Sequence, residues 1–579
     1  MILQALNNYY ERKAADPESG IAPMGFEYKE IPFILVLDDV GTLVNIEDTR
    51  QMINKKLRAR SFLVPQGEKR ASNIKANLLW DNTEYVFGVP VKGKPERVVK
   101  QHRAFVERIE SLNLQDDSEV NAVLKFLRNS TQDSLGSSEY AKEIVESSPF
   151  MAFRLNTDTD LVCQRKAVID CLQQPIIDNQ ERSEFCLVSG QEDVQATLQP
   201  AIKGVRGTNT TGGNIVSFNL TAFNSFGKKQ GANAPMGEKA SFAYTTALNH
   251  LLGKDSTQKL QVGDATLVFW SDRQNHSEDD FRDWFDEPDK DNPDRLTEKV
   301  RALLKAVDSG VLPPDDNETK FFILGLSPNA ARISIRFWHV GTVTEFSHKI
   351  AQHFHDLEII HSSKQRDHLS IWWLLRSIAP LGKTENISPN LAGDWMRTIL
   401  NGNAYPETLF QSAIRRIHTE RNVSYERTTI IKACLNRKNR YQTQHKKEMK
   451  VSLDKENTNP GYRIGRLFAV LEKIQEESSP GINATIRDRY YSSASGTPAS
   501  VFPILLRMKN HHLGKLVKGR EVYFEKLLGE VMEEIISTGF PAQLSLQDQG
   551  RFAIGYYHQR QAMFTKSDKT ESSNTDQGE

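Results

Sequence analysis

The chain is poor in cysteine, has no long apolar run and carries no net charge. Four cysteines in 579 residues form no CxxC pair, so we expect buried free thiols in a reducing cytoplasm rather than a zinc site. No apolar stretch approaches the length of a membrane span, and the N-terminus lacks the basic-then-apolar order of a signal peptide. These absences predict a cytoplasmic protein with no membrane partner and no bound metal.

The fingerprints of nucleotide-binding proteins are also missing. A P-loop requires Lys and then Ser or Thr after its last glycine, whereas Gly212 and Gly213 precede Asn214 and Ile215. A dinucleotide-binding fold places its glycines at a strand–helix junction, with an acid about 20 residues further on, and that order is absent too. We therefore expect no cofactor.

Two segments contain the carboxylates and histidines that a metal-dependent nuclease would need. Residues 278–294 carry nine acids, but their prolines and lack of apolar periodicity indicate a solvated acidic loop. Residues 348–368 carry five histidines, with Asp356 beside His355, but the apolar spacing indicates an ordinary amphipathic helix. The sequence thus predicts a protein that is not an enzyme. A metal-dependent nuclease stays the alternative, and a purely structural scaffold is a third class.

Positive charge is concentrated in two regions, although Lys+Arg and Asp+Glu both total 74. Residues 50–103 hold 13 Lys and Arg against 4 acids, and residues 421–470 hold 12 against 4. Zero net charge therefore does not exclude a nucleic-acid partner. The basic run at 421–450 also contains two tyrosines. It fits either phosphate tracking with base stacking or a plain exposed helix.

Residues 204–237 are rich in glycine and in short polar side chains. They hold seven glycines in 34 positions, in a chain with 34 glycines in 579 residues. Glycine lets backbone N–H groups approach a ligand closely, and short amides and hydroxyls contact phosphates and base edges. The composition indicates either a set of polyanion-binding loops or structural turns between strands. The candidate DNA contacts in and beside this window are Lys203, Arg206, Thr208, Asn209, Lys228 and Lys229.

A second candidate loop, PQGEKRASNI, occupies residues 65–74. The pattern predicts a basic helix at 55–60, then a strand, and then this loop. Cations alternate in the loop with amides and hydroxyls, so backbone and base contacts to DNA are chemically possible. A solvated charged surface is the alternative. The candidate DNA contacts here are Gln66, Lys69, Arg70, Ser72 and Asn73.

Apolar periodicity predicts a multidomain α+β protein, with mixed sheets in the N-terminal and middle regions and an all-helical bundle at the C-terminus. Strands are expected at 31–38, 43–46, 150–154, 185–188 and 214–218, and a hairpin at 321–338 in which Ile333, Ile335 and Phe337 share one face. The predicted regions are an α+β DNA-binding region at 1–255, a strand-rich segment with the acidic loop at 256–345, a helical linker at 346–448, a helical bundle at 449–564 and a disordered tail at 565–579.

The chain resembles the large subunit of type I-C CRISPR interference (Cascade) complexes over roughly residues 1 to 560. The motifs that carry the resemblance are long and idiosyncratic. They include ILVLD (34–38), IEDTR (46–50), VPQ (64–66), KR (69–70), NLLWDNTEYV (77–86), LVSG (187–190), PAIKGVRG (200–207), NIVSFN (214–219), QGANAP (230–235), AYTTALN (243–249) and FWH (337–339).

The resemblance implies a non-catalytic subunit of a crRNA-guided surveillance complex. Such subunits recognise the protospacer-adjacent motif in double-stranded DNA, aid duplex opening and stabilise the R-loop. The implied partners are crRNA, the other Cascade subunits, target DNA with its displaced strand, and the helicase-nuclease effector. Guide pairing supplies the long sequence specificity, so the protein needs to read only a few base pairs.

The resemblance also implies that the C-terminal helical part is similar to a separate small subunit, which can be made from an internal start. Met449 lies where the basic run ends and the predicted bundle begins. The preceding Lys446, Lys447 and Glu448 are necessarily encoded by purines, which permits a ribosome-binding site. The product, residues 449–579, would be long enough to bury a bundle core. An ordinary methionine at this position is the alternative.

Overall fold

Helices and strands alternate through the first part of the computed structural model, and the described residues after Thr342 form helices and loops without strands. This confirms the predicted α+β class, with mixed sheets first and helices in the C-terminal region. The structure describes residues 1–53, 56–68, 70, 73–114, 116–129, 138–173, 183–288, 290–388, 390–442, 448–533, 535 and 539–564. The predicted disordered tail at 565–579 lies outside these residues.

Fourteen strands are defined in the described residues. They are β1 Phe26–Glu30, β2 Phe33–Leu37, β3 Leu43–Asp48, β4 Gln51–Ile53, β5 Lys56–Arg58, β6 Ser61–Pro65, β7 Trp80–Asn82, β8 Phe150–Leu155, β9 Ser183–Phe185, β10 Glu192–Val194, β11 Lys259–Val262, β12 Ala265–Ser271, β13 Lys320–Asn329 and β14 Arg332–Thr342.

Nineteen α-helices are defined in the same part of the chain. They are α1 Ile2–Ala14, α2 Thr83–Val86, α3 Pro95–Glu110, α4 Ser118–Asn129, α5 Ala141–Ser147, α6 Lys166–Gln173, α7 Glu238–Leu251, α8 Ser277–Asp283, α9 Arg295–Ser309, α10 Val343–Leu357, α11 Ile371–Ile378, α12 Leu391–Asn401, α13 Glu407–Glu420, α14 Tyr425–Gln442, α15 Pro460–Ser478, α16 Ile486–Gly496, α17 Pro498–Leu513, α18 Lys518–Met532 and α19 Leu546–Phe564. None of the described helices has both the length and the apolarity to span a membrane.

The chain divides into two compact units. The first comprises Met1–Ile202 and Val216–His250, and the second comprises Lys203–Ile215 and Leu251–Glu579. The glycine-rich window is therefore shared, because its first part belongs to the second unit although the sequence on either side belongs to the first. The regions predicted at 256–345, 346–448 and 449–564 all lie within the second unit, and their boundaries stay predictions.

The first unit is built on a mixed four-stranded sheet in the order β3-β2-β8-β7. The strands predicted at 31–38 and 43–46 are confirmed as β2 and β3, which are antiparallel neighbours, and β2 is parallel to β8. Every residue of β2 is buried because the strand is covered on both faces, which explains its uninterrupted apolar sequence. Phe105 of α3 and Phe126 of α4 pack on Phe153 of β8, with ring centroids 6.4 and 6.1 Å apart.

The second unit begins with an antiparallel sheet in the order β11-β12-β13-β14. The predicted hairpin is confirmed as β13 and β14, but the register shifts at Gly325 and Leu326. The extra residue lies between Ile335 and Phe337, and such a β-bulge interrupts the alternation of side chains at that point. Ile333 and Phe337 are buried, whereas Ile335 is 41% exposed. The simple alternation from which one shared face was predicted therefore does not continue from Ile335 to Phe337.

A single hydrophobic core continues from this sheet into the C-terminal helices, from Leu260 to Tyr557. Helices α15 and α19 approach so closely that their backbones touch. A Cβ atom added at Gly465 would overlap the carbonyl oxygen of Phe552, and one added at Gly555 would overlap that of Tyr462. Glycine at these positions is what allows the two helices to pack at this distance.

Four local predictions were wrong. The strand predicted at 185–188 is β9, which ends at Phe185, and the residues that follow form a turn. The predicted basic helix near 55–60 is instead the hairpin of β4 and β5, followed by β6. Residues 214–218 do not form a strand, since only an isolated bridge joins Asn214 to Arg332. The predicted acidic loop at 278–294 begins as helix α8, because Phe281 of that helix is fully buried and anchors it in the core.

Candidate nucleic-acid interface

The loop at 65–77 is held by hydrogen bonds at both ends. The indole of Trp80 donates to the carbonyl oxygen of Pro65 at 2.8 Å, and the backbone N–H of Gln66 donates to that of Gly25 at 2.8 Å. At the far end, the side chain of Asn77 accepts a 2.9 Å hydrogen bond from the backbone N–H of Glu68. The ends of the loop are thus closed on each other and fixed to the strand that follows.

Arg70 ties the middle of this loop to buried Asp81. Its guanidinium donates to both carboxylate oxygens, with Nη1 2.9 Å from Oδ1, and it also donates to the carbonyl oxygen of Lys75 at 2.6 Å. The same group lies 4.0 Å from the centre of the Tyr85 ring. Burial raises the pKa of the Asp81 carboxyl, and Arg70 and two backbone amides oppose that shift. Arg70 therefore has an intramolecular role as the anchor of the loop.

The outer side chains of the loop are available for contacts. Gln66 and Asn73 are both exposed, whereas Lys69 and Ser72 lie outside the described residues. An amide side chain is the group that pairs in two points with adenine, and it also donates to phosphate. The prediction that these residues contact DNA stays a prediction, with Gln66 and Asn73 as its best placed members.

The 203–215 segment of the second unit is folded on the sheet. The backbone N–H of Arg206 donates to the hydroxyl of Thr266 at 3.2 Å, and the Thr208 hydroxyl donates to the carbonyl oxygen of Val205 at 2.8 Å. The side chains of Lys203, Arg206 and Asn209 are exposed and that of Thr208 is partly buried. The segment thus presents two cations and an amide on a backbone that the sheet holds in place.

Several glycines of the window are explained by close packing within the protein. Gly204 and Gly207 both have φ near +90°, and a Cβ would come within 2.7 Å of the Leu252 carbonyl oxygen and 3.1 Å of Pro328, respectively. A Cβ at Gly231 would overlap the Ala196 carbonyl oxygen. These glycines favour the structural-turn interpretation over close approach of a ligand.

One part of the window is open to solvent. All residues from 219 to 230 are exposed, including Lys228 and Lys229. The side chain of Asn233 shapes this stretch, because it accepts from the backbone N–H of Ser225 at 3.0 Å and donates to the carbonyl oxygen of Gln230 at 3.0 Å. A Cβ atom added at Gly227 would have no other atom within 4 Å, so close packing does not explain this glycine.

The histidine-rich helix does not bring its acids and imidazoles together on a shared centre. Asp356 is buried and pairs with Arg437 at 2.6 Å and Arg440 at 2.9 Å. His355 turns the other way, toward Asp308 and Glu358 at 3.2 and 3.1 Å. Within the described residues, no group of three or more His, Cys, Asp or Glu side chains is placed to hold a metal ion.

In the described part of the basic run at 421–450, many of the cations are internal, which neither of its two interpretations anticipated. It forms α14, in which Arg427, Lys432 and Arg437 are buried. Arg437 neutralises Asp356, and Lys432 donates to the Asp356 carbonyl oxygen at 3.2 Å. These cations stabilise the interior of the second unit, and Tyr441 is the exposed aromatic of the run.

Sequence reasoning missed the residues that support the candidate loop. Asp81 and Tyr85, which hold Arg70, and Asn77, which closes the loop, were quoted only as parts of the NLLWDNTEYV motif. The available signal was an acid placed directly after the apolar residues Leu78, Leu79 and Trp80, since a carboxylate that is buried requires a partner. The exposed amides of the loop at 65–77 and the lysines at 228 and 229 can donate hydrogen bonds to phosphates, and contact with DNA stays a prediction.

The chain belongs to the CRISPR-associated protein family Cas_Csd1, whose family model matches residues 6–564. The match covers both units and every loop described above. No curated protein matches the chain.

Proposed function

We propose that this protein is the non-catalytic large subunit of a type I-C crRNA-guided CRISPR surveillance complex and acts in the cytoplasm. In this role it recognises the protospacer-adjacent motif in double-stranded DNA, aids duplex opening, stabilises the R-loop and docks the helicase-nuclease. Its partners are crRNA, the other Cascade subunits, target DNA and the displaced strand. Membership of the Cas_Csd1 family over nearly the whole chain supports the proposal.

The observation that carries the motif-reading role is the construction of the 65–77 loop. Trp80 and Asn77 hold the described ends of the loop and Arg70 is tied to Asp81, while Gln66 and Asn73 are exposed. A reader of base edges benefits from a rigid support, because side chains that are already positioned lose less entropy on binding. Only a few base pairs need to be read, since the guide pairs with the rest of the target.

The proposal of a non-catalytic subunit is supported by how the acids and histidines are used. Asp356 is engaged by Arg437 and Arg440, and His353 is buried against the Tyr405 hydroxyl at 2.6 Å. Burial, with a contribution from Arg437, lowers the pKa of His353 well below its usual value. These contacts give Asp356 and His353 structural roles in the second unit.

The decisive test uses the assembled complex with its guide RNA and a DNA library that is randomised next to the target. Selection of a short motif, followed by gel shifts with and without that motif, would support the assignment. Equal binding of both DNAs would overturn motif reading.

Incubation of the purified chain with DNA and Mg²⁺ or Mn²⁺ tests the alternative that the protein is a metal-dependent nuclease. Cleavage that depends on the added metal and is lost in Asp356→Asn would replace the present proposal.

A further inference from the structure

The ring of Phe226 projects into solvent from the first unit. It is 100% exposed, more than any other exposed large hydrophobic side chain in the described residues. It lies in the middle of the exposed stretch from 219 to 230. Phenylalanine is ordinarily a core residue because its burial is strongly favourable, so a completely exposed ring calls for an explanation.

The backbone at Phe226 is also unusual. The N–H of Lys228 donates to the carbonyl oxygen of Ser225 at 2.9 Å, which closes a turn with Phe226 and Gly227 at its centre. Both central residues have positive φ, at 49° and 71°. Turns of this kind strongly favour Asn, Asp or Gly at the first central position, and a bulky residue with positive φ is rare. The sequence thus places phenylalanine where folding alone favours a smaller residue.

The turn is held in this conformation by Asn233. Its amide accepts from the N–H of Ser225 and donates to the carbonyl oxygens of Lys228 and Gln230, at 3.0, 3.3 and 3.0 Å. One side chain therefore bonds the backbone before and after Phe226. The exposed ring stands on a fixed turn, and a strained residue that is held in this way points to a functional role.

Two cations follow the ring directly. Lys228 and Lys229 are exposed, and among the described residues no ion pair is found for either ammonium group. An aromatic face next to unneutralised lysines is the combination that binds a nucleobase and its phosphate together. An apolar protein partner would instead favour a contiguous apolar patch with few charges at its centre.

We infer that Phe226 is a nucleobase-stacking residue, which places its ring against an unpaired base while Lys228 and Lys229 contact the adjacent phosphates. The inference rests on the proposed function, because it takes the unpaired base from DNA that the complex has bound next to the motif. The ring would then hold the opened state, since a base stacked on protein is not free to pair again.

The test compares three substitutions at one position in the assembled complex. Phe226→Trp keeps an aromatic face, Phe226→Leu keeps apolar bulk without one, and Phe226→Gly removes the side chain and relieves the positive φ. Thermal unfolding of the Gly variant should be unchanged or shifted upward, because glycine suits the turn. Loss of binding in that variant would therefore not come from misfolding. Leu220→Ala, at an apolar residue 58% exposed in the same stretch, is the matched control.

Binding is measured on motif-bearing DNA with two unpaired bases next to the motif, one of them 2-aminopurine. We expect the Phe226→Trp variant and the Leu220→Ala control to bind like the original protein. The Phe226→Leu and Phe226→Gly variants should lose about 5- to 150-fold in affinity, as for the loss of one stacked base. The original protein and the Trp variant should also quench 2-aminopurine fluorescence at one position. Full binding by the Leu variant, or by all three, would overturn the inference. Failure of the original complex to distinguish motif-bearing from motif-less DNA would instead overturn the proposed function.

Discussion

Arg70 and Asp81 form an ion pair in which the guanidinium contacts both carboxylate oxygens and the aspartate has no exposure to solvent. A buried charge that loses its partner is strongly destabilising. We expect Arg70→Ala to lower the free energy of unfolding by roughly 3 kcal/mol. Urea unfolding measures this, with Arg103→Ala as the control, because Arg103 is 79% exposed and makes only a surface pair with Glu107. Equal and small effects of both substitutions would contradict the anchoring role.

Asn73 lies on the exposed side of the loop that Arg70 anchors. We expect Asn73→Ala to leave stability unchanged and to weaken binding of motif-bearing DNA more than binding of motif-less DNA, because a good base contact contributes about 1–3 kcal/mol of discrimination. Competition gel shifts with the assembled complex give both affinities. An equal loss on the two DNAs would assign Asn73 to the DNA backbone.

The cations of the glycine-rich window are divided between the two units, with Lys203 and Arg206 in the second and Lys228 and Lys229 in the first. If all four contact phosphates, replacing them with glutamine should flatten the dependence of log affinity on log salt by about one unit for each lost contact. Making the two pairs of substitutions separately shows which segment follows the DNA. A slope unchanged by either pair would leave these residues as ordinary surface cations.

Met449 is not part of a loose connection. Its side chain is buried, its N–H donates to the Asn436 side chain at 2.7 Å, and its carbonyl oxygen accepts from the same amide at 3.1 Å. We still predict its use as an internal start. The intact gene with a C-terminal tag should give a second product of residues 449–579, which Met449→Leu abolishes. That substitution conserves volume and should cost less than about 1.5 kcal/mol, so the full-length band serves as the internal control.

A lone full-length band, unaffected by Met449→Leu or by silent changes in the codons of residues 446–448, would contradict the internal start. Lys446 and Lys447 lie outside the described residues, so this test rests on the coding sequence and not on their conformation. Equal amounts of the short product before and after the substitution would point to proteolysis.

His558 makes stability depend on pH. Burial lowers its pKa to about 3, and its ring contacts the Tyr462 hydroxyl at 3.0 Å. An unfolded histidine has a pKa of about 6.5, so below that pH the unfolded chain takes up a proton that the folded chain does not. Stability should therefore be fully present above about pH 6.5 and decline as the pH falls toward 3, by up to about 1.4 kcal/mol per pH unit for this residue.

Urea midpoints between pH 7 and 4 test this, with His558→Gln compared against His276→Gln at an exposed position. The His558 variant should show a shallower decline with acid, although it is less stable at neutral pH. The exposed variant should follow the original protein. Parallel curves for all three proteins would mean that other groups govern the acid response.

Patterns within one element were readable from the sequence, and pairings between distant elements were not. The strands β2, β3 and β8 follow from apolar runs that each segment carries on its own. Residues 214–218 look like a strand, but the neighbouring backbone offers only one bridge. A strand needs a partner as well as a propensity, and the partner is set by the tertiary fold.

The candidate site shows the same division. The alternation of cations and amides at 66–73 identified a polar loop, but the sequence alone gives Arg70 and Asn73 the same expectation of an exposed polar side chain. Only the fold shows that Arg70 meets Asp81 whereas Asn73 is exposed. The glycines near 204 and 231 were open to two interpretations because their close neighbours, Leu252 and Ala196, are far from them in the chain.

The touching backbones of α15 and α19 have a consequence for how the gene product could be divided. Both helices lie after Met449, so a polypeptide that begins there would contain both sides of this close backbone contact. The part of α19 around Gly550 would lose its neighbours Phe410 and Ile431, because both residues precede Met449. Such a polypeptide would keep the packing between α15 and α19 and would expose the surface that Phe410 and Ile431 cover in the full-length chain. That surface could bind a neighbouring subunit that supplies equivalent apolar side chains.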